Sequence, residues 1–101
     1  MPVEVDADFR IVRVGDQQFD FRGDKQRQVV GFLYQRWRGG DGPISASAMF
    51  EKLEFSNTTR LRDLFKGHTD WRELIGIKGG SCWLRCNELL ADTENGAGVP
   101  P

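Results

Sequence analysis

Two glycines, Gly79 and Gly80, separate two runs of β-branched, aromatic and other apolar residues at 73–78 and 81–86. A two-residue hairpin turn requires positive φ angles, which glycine adopts without strain. The sequence therefore predicts a tight β-hairpin here. The segment just before it, 56–67, has apolar residues at helical spacing and predicts a short amphipathic helix. A helix followed at once by a tight hairpin restricts the chain to few architectures.

Upstream of this segment, the pattern predicts a β-hairpin followed by two helices. Residues 9–14 and 18–21 carry strand-like apolar patterns on either side of a turn signal. Apolar positions then repeat at helical spacing over 24–38, and again from Ser45 to about Glu54. The expected helix N-caps are Asp24, Ser45, and either Ser56 or Asn57. The predicted order β-β-α-α-α-β-β defines an α+β fold.

The chain length limits the number of domains. A chain of 101 residues buries enough surface for one modest core, and we expect a single domain over residues 8–87. Residues 1–7 should form a flexible N-terminus. Residues 88–101 should form a mobile tail, because the end of the chain lacks apolar anchors. The sequence is also compatible with one domain cut from a longer protein.

Charge is unevenly distributed, although the formal net charge is only −1. Residues 1–24 hold six acids against three bases, and residues 87–101 hold three acids and no base. Residues 57–86 hold three acids and six bases, which are Arg60, Arg62, Lys66, Arg72, Lys78 and Arg85. A local basic surface is what nucleic-acid binding requires. The weak overall charge argues against avid, non-specific coating of DNA.

The third predicted helix and the hairpin carry motifs of a known family. Residues 59–66 (TRLRDLFK) and 78–85 (KGGSCWLR) resemble the third helix and the wing of winged helix-turn-helix domains of the OmpR/PhoB output-domain type. The chain is also similar to small bacterial winged-helix proteins of unassigned role. The resemblance covers about residues 8–87. It implies a winged helix-turn-helix fold with an N-terminal β-hairpin, three helices and a C-terminal β-hairpin wing. Residues 54–56 are too few for that family's polymerase-contact loop, so DNA contact is the implied property.

The resemblance implies sequence-specific binding of double-stranded DNA, by a small bacterial transcriptional regulator. Helix 56–67 would enter the major groove, and the wing, 74–86, would contact the adjacent groove or the backbone. The basic start of the first helix would contact a phosphate. The candidate DNA-binding residues are Asn57, Thr58, Thr59, Arg60, Arg62, Lys66, Lys78, Ser81, Arg85, Lys25 and Arg27.

Each of these positions also has a purely structural interpretation. The polar residues of helix 56–67 could be the solvated side of a surface helix, and the hairpin charges could keep a sheet edge soluble. Asp63 on the presumed reading surface and the near-neutral net charge favour a second function. In that version the protein is a winged-helix adaptor that binds another protein without DNA. A homodimer is compatible with the DNA-binding version.

No residues point to catalysis, a cofactor or a metal ion. The chain lacks the Gly-x-x-x-x-Gly-Lys-Ser/Thr and Gly-x-Ser-x-Gly motifs, and His68 has no partner at zinc-ligand spacing. Cys82 and Cys86 lie four residues apart in a predicted strand, a distance of roughly 13 Å that excludes a disulfide. We expect both thiols to be semi-buried and reduced. The tryptophans expected in or beside the core are Trp37, Trp71 and Trp83.

The sequence contains no recognisable signal peptide. It also lacks an apolar run of the roughly 20 residues that a membrane span needs. Together with two reduced cysteines, these features predict a cytoplasmic protein that has no membrane partner.

Overall fold

A computed structural model describes residues 3–68 and 70–91 of the chain. Its strands are β1 (Val3–Val5), β2 (Ile11–Val14), β3 (Gln17–Asp20), β4 (Ile44–Ser45), β5 (Ile75–Lys78) and β6 (Ser81–Leu84). Its helices are α1 (Asp24–Arg38), α2 (Ala46–Lys52), α3 (Leu61–Leu64) and α4 (Trp71–Leu74), and residues 86–91 are also helical (α5). The fold is α+β, as predicted, with two three-stranded antiparallel sheets.

The first sheet has the strand order β1-β2-β3. The predicted hairpin of β2 and β3 is confirmed, with Val12 opposite Phe19 and both side chains buried. The expected flexible N-terminus over 1–7 is wrong at residues 3–5, because β1 pairs with β2 and places Val3 in the core. A three-residue strand is too short to show a period in the sequence.

Helix α1 leads from the first sheet to the second. It spans the predicted residues, but Gly23 rather than Asp24 occupies the N-cap, and Asp24 is the first helical residue. Gln26 accepts a hydrogen bond from the Gly23 amide (3.4 Å) and donates one to the Leu64 carbonyl (2.7 Å). Gln26 thus ties the start of α1 to α3. The buried residues of α1 are Val29, Val30, Gly31, Leu33 and Tyr34.

The second sheet has the strand order β4-β6-β5. The predicted hairpin is confirmed, because Gly79 and Gly80 have φ angles of 57° and 81° and join β5 to β6. The strands are shorter than the expected 73–78 and 81–86, since helical residues precede β5 and follow β6. The two-residue strand β4 was not predicted; it pairs with β6.

The segment predicted as a helix over 56–67 contains only one helical turn, α3. Its N-cap is Arg60 rather than Ser56 or Asn57. The Ser56 hydroxyl instead bonds to the Thr58 hydroxyl (2.8 Å) and accepts a hydrogen bond from the Thr58 amide (3.2 Å). Such local side-chain bonds compete with helix formation, and β-branched residues lower helix propensity further. The predicted helix is therefore wrong outside α3.

Helix α2 begins where the sequence predicts. The Ser45 side chain accepts a hydrogen bond from the Ala48 amide (3.1 Å), which confirms Ser45 as the N-cap. The helix ends at Lys52, before the predicted Glu54. Glu54 has a φ angle of 61°, a conformation that no α-helix continues. Helices α2 and α3 are consequently separated by an extended loop, 53–60.

One hydrophobic core joins residues of both sheets and of α1. Phe65 is fully buried, with its ring centroid 5.7 Å from that of Phe21 and 5.1 Å from that of Trp71. Leu61 is only 6% exposed. The apolar side predicted for the third helix is therefore buried as expected, although that helix is short.

The tail predicted over 88–101 is wrong at its beginning. Residues 88–91 belong to α5, and the Leu89 side chain is part of the core. Residues 92–101, like residues 1 and 2, lie outside the described residues.

Candidate functional site

A groove of about 710 Å³ is lined by α2, the segment 55–62, Arg72 and the β5–β6 hairpin. Four predicted DNA-binding residues line this groove, namely Asn57, Thr59, Arg60 and Arg62. Thr58 is exposed in the same loop but does not line the groove. The apolar lining consists of Ala46, Phe50, Phe55, Leu61 and Ile77. The groove thus combines an apolar surface with charged side chains around it.

Three arginines line the groove: Arg60, Arg62 and Arg72. All three residues are exposed. The ion pairs within the described residues lie elsewhere, at Arg13, Arg27 and Arg85. Glu51 is the one carboxylate among the lining residues. The groove therefore carries an excess of positive charge that intramolecular ion pairs among these residues do not neutralise.

Arg72 was missing from the predicted site. The sequence pattern predicted a strand that begins just after Arg72, whereas the structure places Arg72 in α4. Its guanidinium carbon lies 5.2 Å from the centroid of the Trp71 ring. A cation–π contact of this kind holds the side chain against the protein surface. Membership in the basic cluster 57–86 was the available signal. The sequence did not reveal the helical turn that directs Arg72 to the groove.

The hairpin stands beside the groove. Lys78 and Ser81 face each other across its turn, with Lys78 exposed and Ser81 partly exposed. The Gly80 carbonyl accepts a hydrogen bond from the Ala46 amide (2.9 Å), which fixes the hairpin tip to the start of α2. Gly80 lines the groove, whereas Lys78 and Ser81 lie next to it.

Lys66 lies apart from the groove arginines. It lines a different hollow, of about 480 Å³, near the start of α1. Arg22 and His68 line the same hollow together with Asp20 and Asp70. Because acids and bases are mixed there, the hollow carries no single sign of charge. Lys66 therefore does not extend the cationic surface of the groove.

The two basic residues at the start of α1 make contacts within the chain. The Arg27 guanidinium pairs with the Asp24 carboxylate at 3.3 Å. The Lys25 ammonium lies 5.3 Å from the centroid of the Phe55 ring. Phe55 lines the groove, so Lys25 is close to it, whereas Arg27 lines a separate part of the surface.

Arg85 supports the fold. Its guanidinium donates to Glu88 Oε2 (3.1 Å) and to the backbone carbonyls of Glu73 (3.1 Å) and Arg72 (3.4 Å). These bonds tie β6 and α5 to the end of α4. Nε and Nη1 of Arg85 are thus already engaged within the chain.

The tryptophans pack at the core or its edge, as expected. Trp71 is 7% exposed. The Trp37 indole donates to Asn87 Oδ1 (3.1 Å), and the Trp83 indole donates to Glu88 Oε1 (3.1 Å). None of the three lines the groove.

Both cysteines are buried and carry free thiols, so the expectation of partial burial is wrong. Burial raises the pKa of the Cys82 thiol to about 11, opposed by the charge of Arg36. Burial also raises the pKa of the Cys86 thiol to about 12. Protonated, buried thiols are poor nucleophiles and poor metal ligands at neutral pH.

No protein-family model matches this chain, and it has no significant match among curated proteins or solved structures. In the part of the chain that the structure describes, no helix is both long and apolar enough for a bilayer crossing. The same residues include no cluster of three or more potential metal ligands.

Proposed function

We propose that the protein binds double-stranded DNA through the groove and the adjacent hairpin, as a small transcriptional regulator. The observation that carries the proposal is the convergence of Arg60, Arg62 and Arg72 on one groove, without ion pairs to other described residues. The order α1-β4-α2-α3-α4-β5-β6, with a sheet that ends in a hairpin, supports a winged-helix arrangement.

The chemistry of arginine suits a phosphate backbone. The planar guanidinium forms two parallel hydrogen bonds to a phosphate group. Because the three groove arginines are exposed, they can exchange water for phosphate oxygens without first breaking an ion pair. Each phosphate neutralised releases condensed counterions from the duplex, which drives association at low salt.

In this proposal, base recognition comes from a loop and not from a long helix. Helix α3 has four residues and is only about 6 Å long, too short to follow the major groove. Asn57 and Thr59 precede it in the loop, and Arg62 lies in its single turn. Asparagine pairs well with adenine and arginine with guanine. The loop 57–60 and α3 thus replace the reading helix that the family resemblance implied.

The hairpin supplies a second point of contact. Lys78 is exposed beside the glycine turn, where two glycines allow close approach to the sugar–phosphate backbone. A single module of this kind buries only about 600–1,000 Å² on DNA. We therefore propose that the protein binds as a homodimer or at repeated half-sites.

Fluorescence anisotropy with a labelled duplex of random sequence at low salt tests this proposal. The double variant Arg60→Gln/Arg62→Gln removes two groove charges. A matched variant, Arg10→Gln/Arg38→Gln, removes two exposed charges from residues outside the groove. We expect the groove variant to lose at least about tenfold in affinity, and the matched variant to change much less.

Two results would contradict the proposal. If both double variants lose affinity equally, the groove is not the contact surface. If the wild-type protein leaves the anisotropy of the duplex unchanged at low salt, the chain does not bind DNA. The second outcome would favour the adaptor that binds another protein.

A further inference from the structure

Strand β5 is an edge strand of the second sheet, and no other strand of the described residues pairs with its outer side. Lys78 and Ser81 flank the two-residue turn, so they form a hydrogen-bonded pair. Such pairs alternate with non-hydrogen-bonded pairs along antiparallel strands. Ile77 and Cys82, the next pair, are therefore not hydrogen-bonded to each other. The amide and carbonyl of Ile77 point away from β6, toward the open edge.

Two further contacts support this alternation. Cys82 pairs on its other side with Ile44 of β4, where its backbone groups find their partners. The Arg85 amide donates to the Leu74 carbonyl at 2.7 Å, which is the hydrogen-bonded pair that the same alternation requires. Ile77 is thus a backbone donor and acceptor directed outward.

The side chains around this edge form two recesses. Ile77 is 44% exposed, and the other exposed large apolar residue among those described is Ile11. Ile77 and Arg72 line the groove, and both also line a second hollow of about 290 Å³ that includes Trp83. Trp83 and Cys82 are consecutive in β6, so their side chains lie on opposite faces of the sheet. A strand added beside β5 would present its side chains alternately to these two faces.

The positive charges near the open edge of β5 favour an added strand that carries acidic side chains. Arg60, Arg62 and Arg72 surround the groove without ion pairs to described residues. A second copy of the chain would bring the same arginines against them, and like charges placed together oppose such pairing. Carboxylates on the incoming strand would pair with the arginines instead.

We propose that β5 accepts an extended segment of a partner protein, with alternating acidic and apolar side chains, as an additional strand of the sheet. The backbone groups available are the amide and carbonyl of Ile77 and the carbonyl of Ile75, since the Ile75 amide donates to Trp71 within α4. These few hydrogen bonds fix the register of the added strand. The apolar side chains contact Ile77 and the groove, and the acids contact the arginines.

This interaction is separate from DNA binding but uses some of the same residues. Arg62 and Arg72 cannot hold phosphates and carboxylates at once, so the acidic segment and DNA compete. Strand addition also requires the outward backbone groups of Ile77, whereas the proposed DNA contact uses side chains of the groove and hairpin. Methylation of the peptide backbone therefore tests strand addition without any change to the protein surface that DNA would contact.

A short fluorescein-labelled peptide of alternating glutamate and valine tests the proposal by anisotropy with the full-length chain. A peptide with lysine in place of glutamate is the charge control. Two further glutamate–valine peptides carry N-methyl groups on alternate backbone amides, one along each edge of the extended peptide. Methylation blocks strand pairing along that edge but keeps every side chain. Together, the two peptides cover parallel and antiparallel pairing with β5. The variants Ile77→Pro and Ile77→Val are compared, since only proline removes the outward amide.

We expect the glutamate peptide to bind and the lysine peptide to bind at least about tenfold more weakly. One of the two N-methylated peptides should bind the wild-type protein about tenfold more weakly than the unmethylated glutamate peptide. The Ile77→Pro variant should bind the glutamate peptide about tenfold more weakly than the wild type, whereas Ile77→Val should bind it as the wild type does. Hydrogen exchange at the Ile77 amide should slow when the glutamate peptide is present. An unlabelled duplex should displace the labelled glutamate peptide.

Equal binding of the glutamate and lysine peptides would overturn the charge argument. Unchanged binding of both N-methylated versions would overturn strand addition, and this result does not depend on whether Ile77→Pro folds. Failure of the duplex to bind, with discrimination among the peptides retained, would contradict only the proposed DNA-binding function.

Discussion

The indole ring of Trp83 lies against Gly76, its cross-strand partner, so closely that a Cβ at residue 76 would stand 2.4 Å from ring atoms Cε2 and Cζ2. The ring has little freedom to move away. Its indole N–H donates to Glu88, whose carboxylate also accepts from Arg85 (3.1 Å). Gly76 is therefore required by packing, and the contact locks the β5–β6 hairpin to α5.

The first prediction follows from this contact. Gly76→Ala should destabilise the protein by about 1–3 kcal/mol, because the methyl group must displace the Trp83 ring. Urea unfolding measures the change. Gly42→Ala is the matched control, since a Cβ at Gly42 would meet no atom within 4 Å. Equal stability of the two variants would show that the ring does not restrict residue 76.

The second prediction concerns the link between α1 and α3. Gln26→Ala removes the donor to the Leu64 carbonyl (2.7 Å), which is partly buried and loses its partner. We expect a loss of about 1–2 kcal/mol in the free energy of unfolding. Gln28→Ala, which removes an exposed hydrogen bond to Asp24 (2.9 Å), should cost no more than about 0.5 kcal/mol. A larger effect at Gln28 than at Gln26 would contradict the assignment.

The third prediction separates a structural arginine from a binding arginine. Arg85→Gln breaks the hydrogen bonds to Glu88 and to the carbonyl of Glu73. Because Arg85 is partly exposed to solvent, we expect the free energy of unfolding to fall by only about 1 kcal/mol. Arg62→Gln should leave stability unchanged but weaken DNA binding. Thermal unfolding measures the stability of both variants, and fluorescence anisotropy measures their affinity for the duplex. A stability loss at Arg62 comparable to that at Arg85 would count against this separation.

The fourth prediction concerns the buried thiols. In the unfolded chain both thiols ionise near the ordinary value of 9.0, whereas burial raises their pKa in the folded chain to about 11 for Cys82 and about 12 for Cys86. The folded state therefore retains protons that the unfolded state loses. The stabilisation by these thiols is full below pH 9.0 and declines as the pH rises toward these folded-state values.

Thermal unfolding at increasing alkaline pH measures this effect. The melting temperature of the wild type should fall more steeply with pH than that of Cys82→Ala/Cys86→Ala, which lacks both thiols. Alkylation of the native wild type should also be slow until the protein unfolds. Parallel pH profiles for the two proteins would show that the thiols ionise equally in both states.

Much of the fold follows from local sequence patterns. Gly79 and Gly80 specify the hairpin turn, and Ser45 specifies the start of α2. The β2–β3 hairpin and α1 were predicted from their apolar periods. These elements are either long enough to show a period or begin at a residue with specific turn or cap chemistry.

The errors fall where tertiary contacts override local pattern. The strands β1 and β4 are too short to show alternation and exist because they pair with neighbours. The segment before α3 has helix-like spacing, but the Ser56–Thr58 hydrogen bonds hold it in a turn. Of the arginines that line the groove, Arg60 and Arg62 were predicted from the third-helix motif and its basic face, whereas the position of Arg72 depended on α4. Lys66 and Arg85 were also predicted as site residues, but they lie in other parts of the molecule.

The salt dependence of duplex binding tests the central claim most directly. If Arg60, Arg62, Arg72 and Lys78 each neutralise one phosphate, the logarithm of affinity should fall with the logarithm of salt concentration with a slope of about −3.6 for each bound chain. The variant Arg60→Gln/Arg62→Gln should reduce this slope to about −1.8, while Arg10→Gln/Arg38→Gln leaves it unchanged. Identical slopes for the wild type and the groove variant would show that these arginines do not contact DNA.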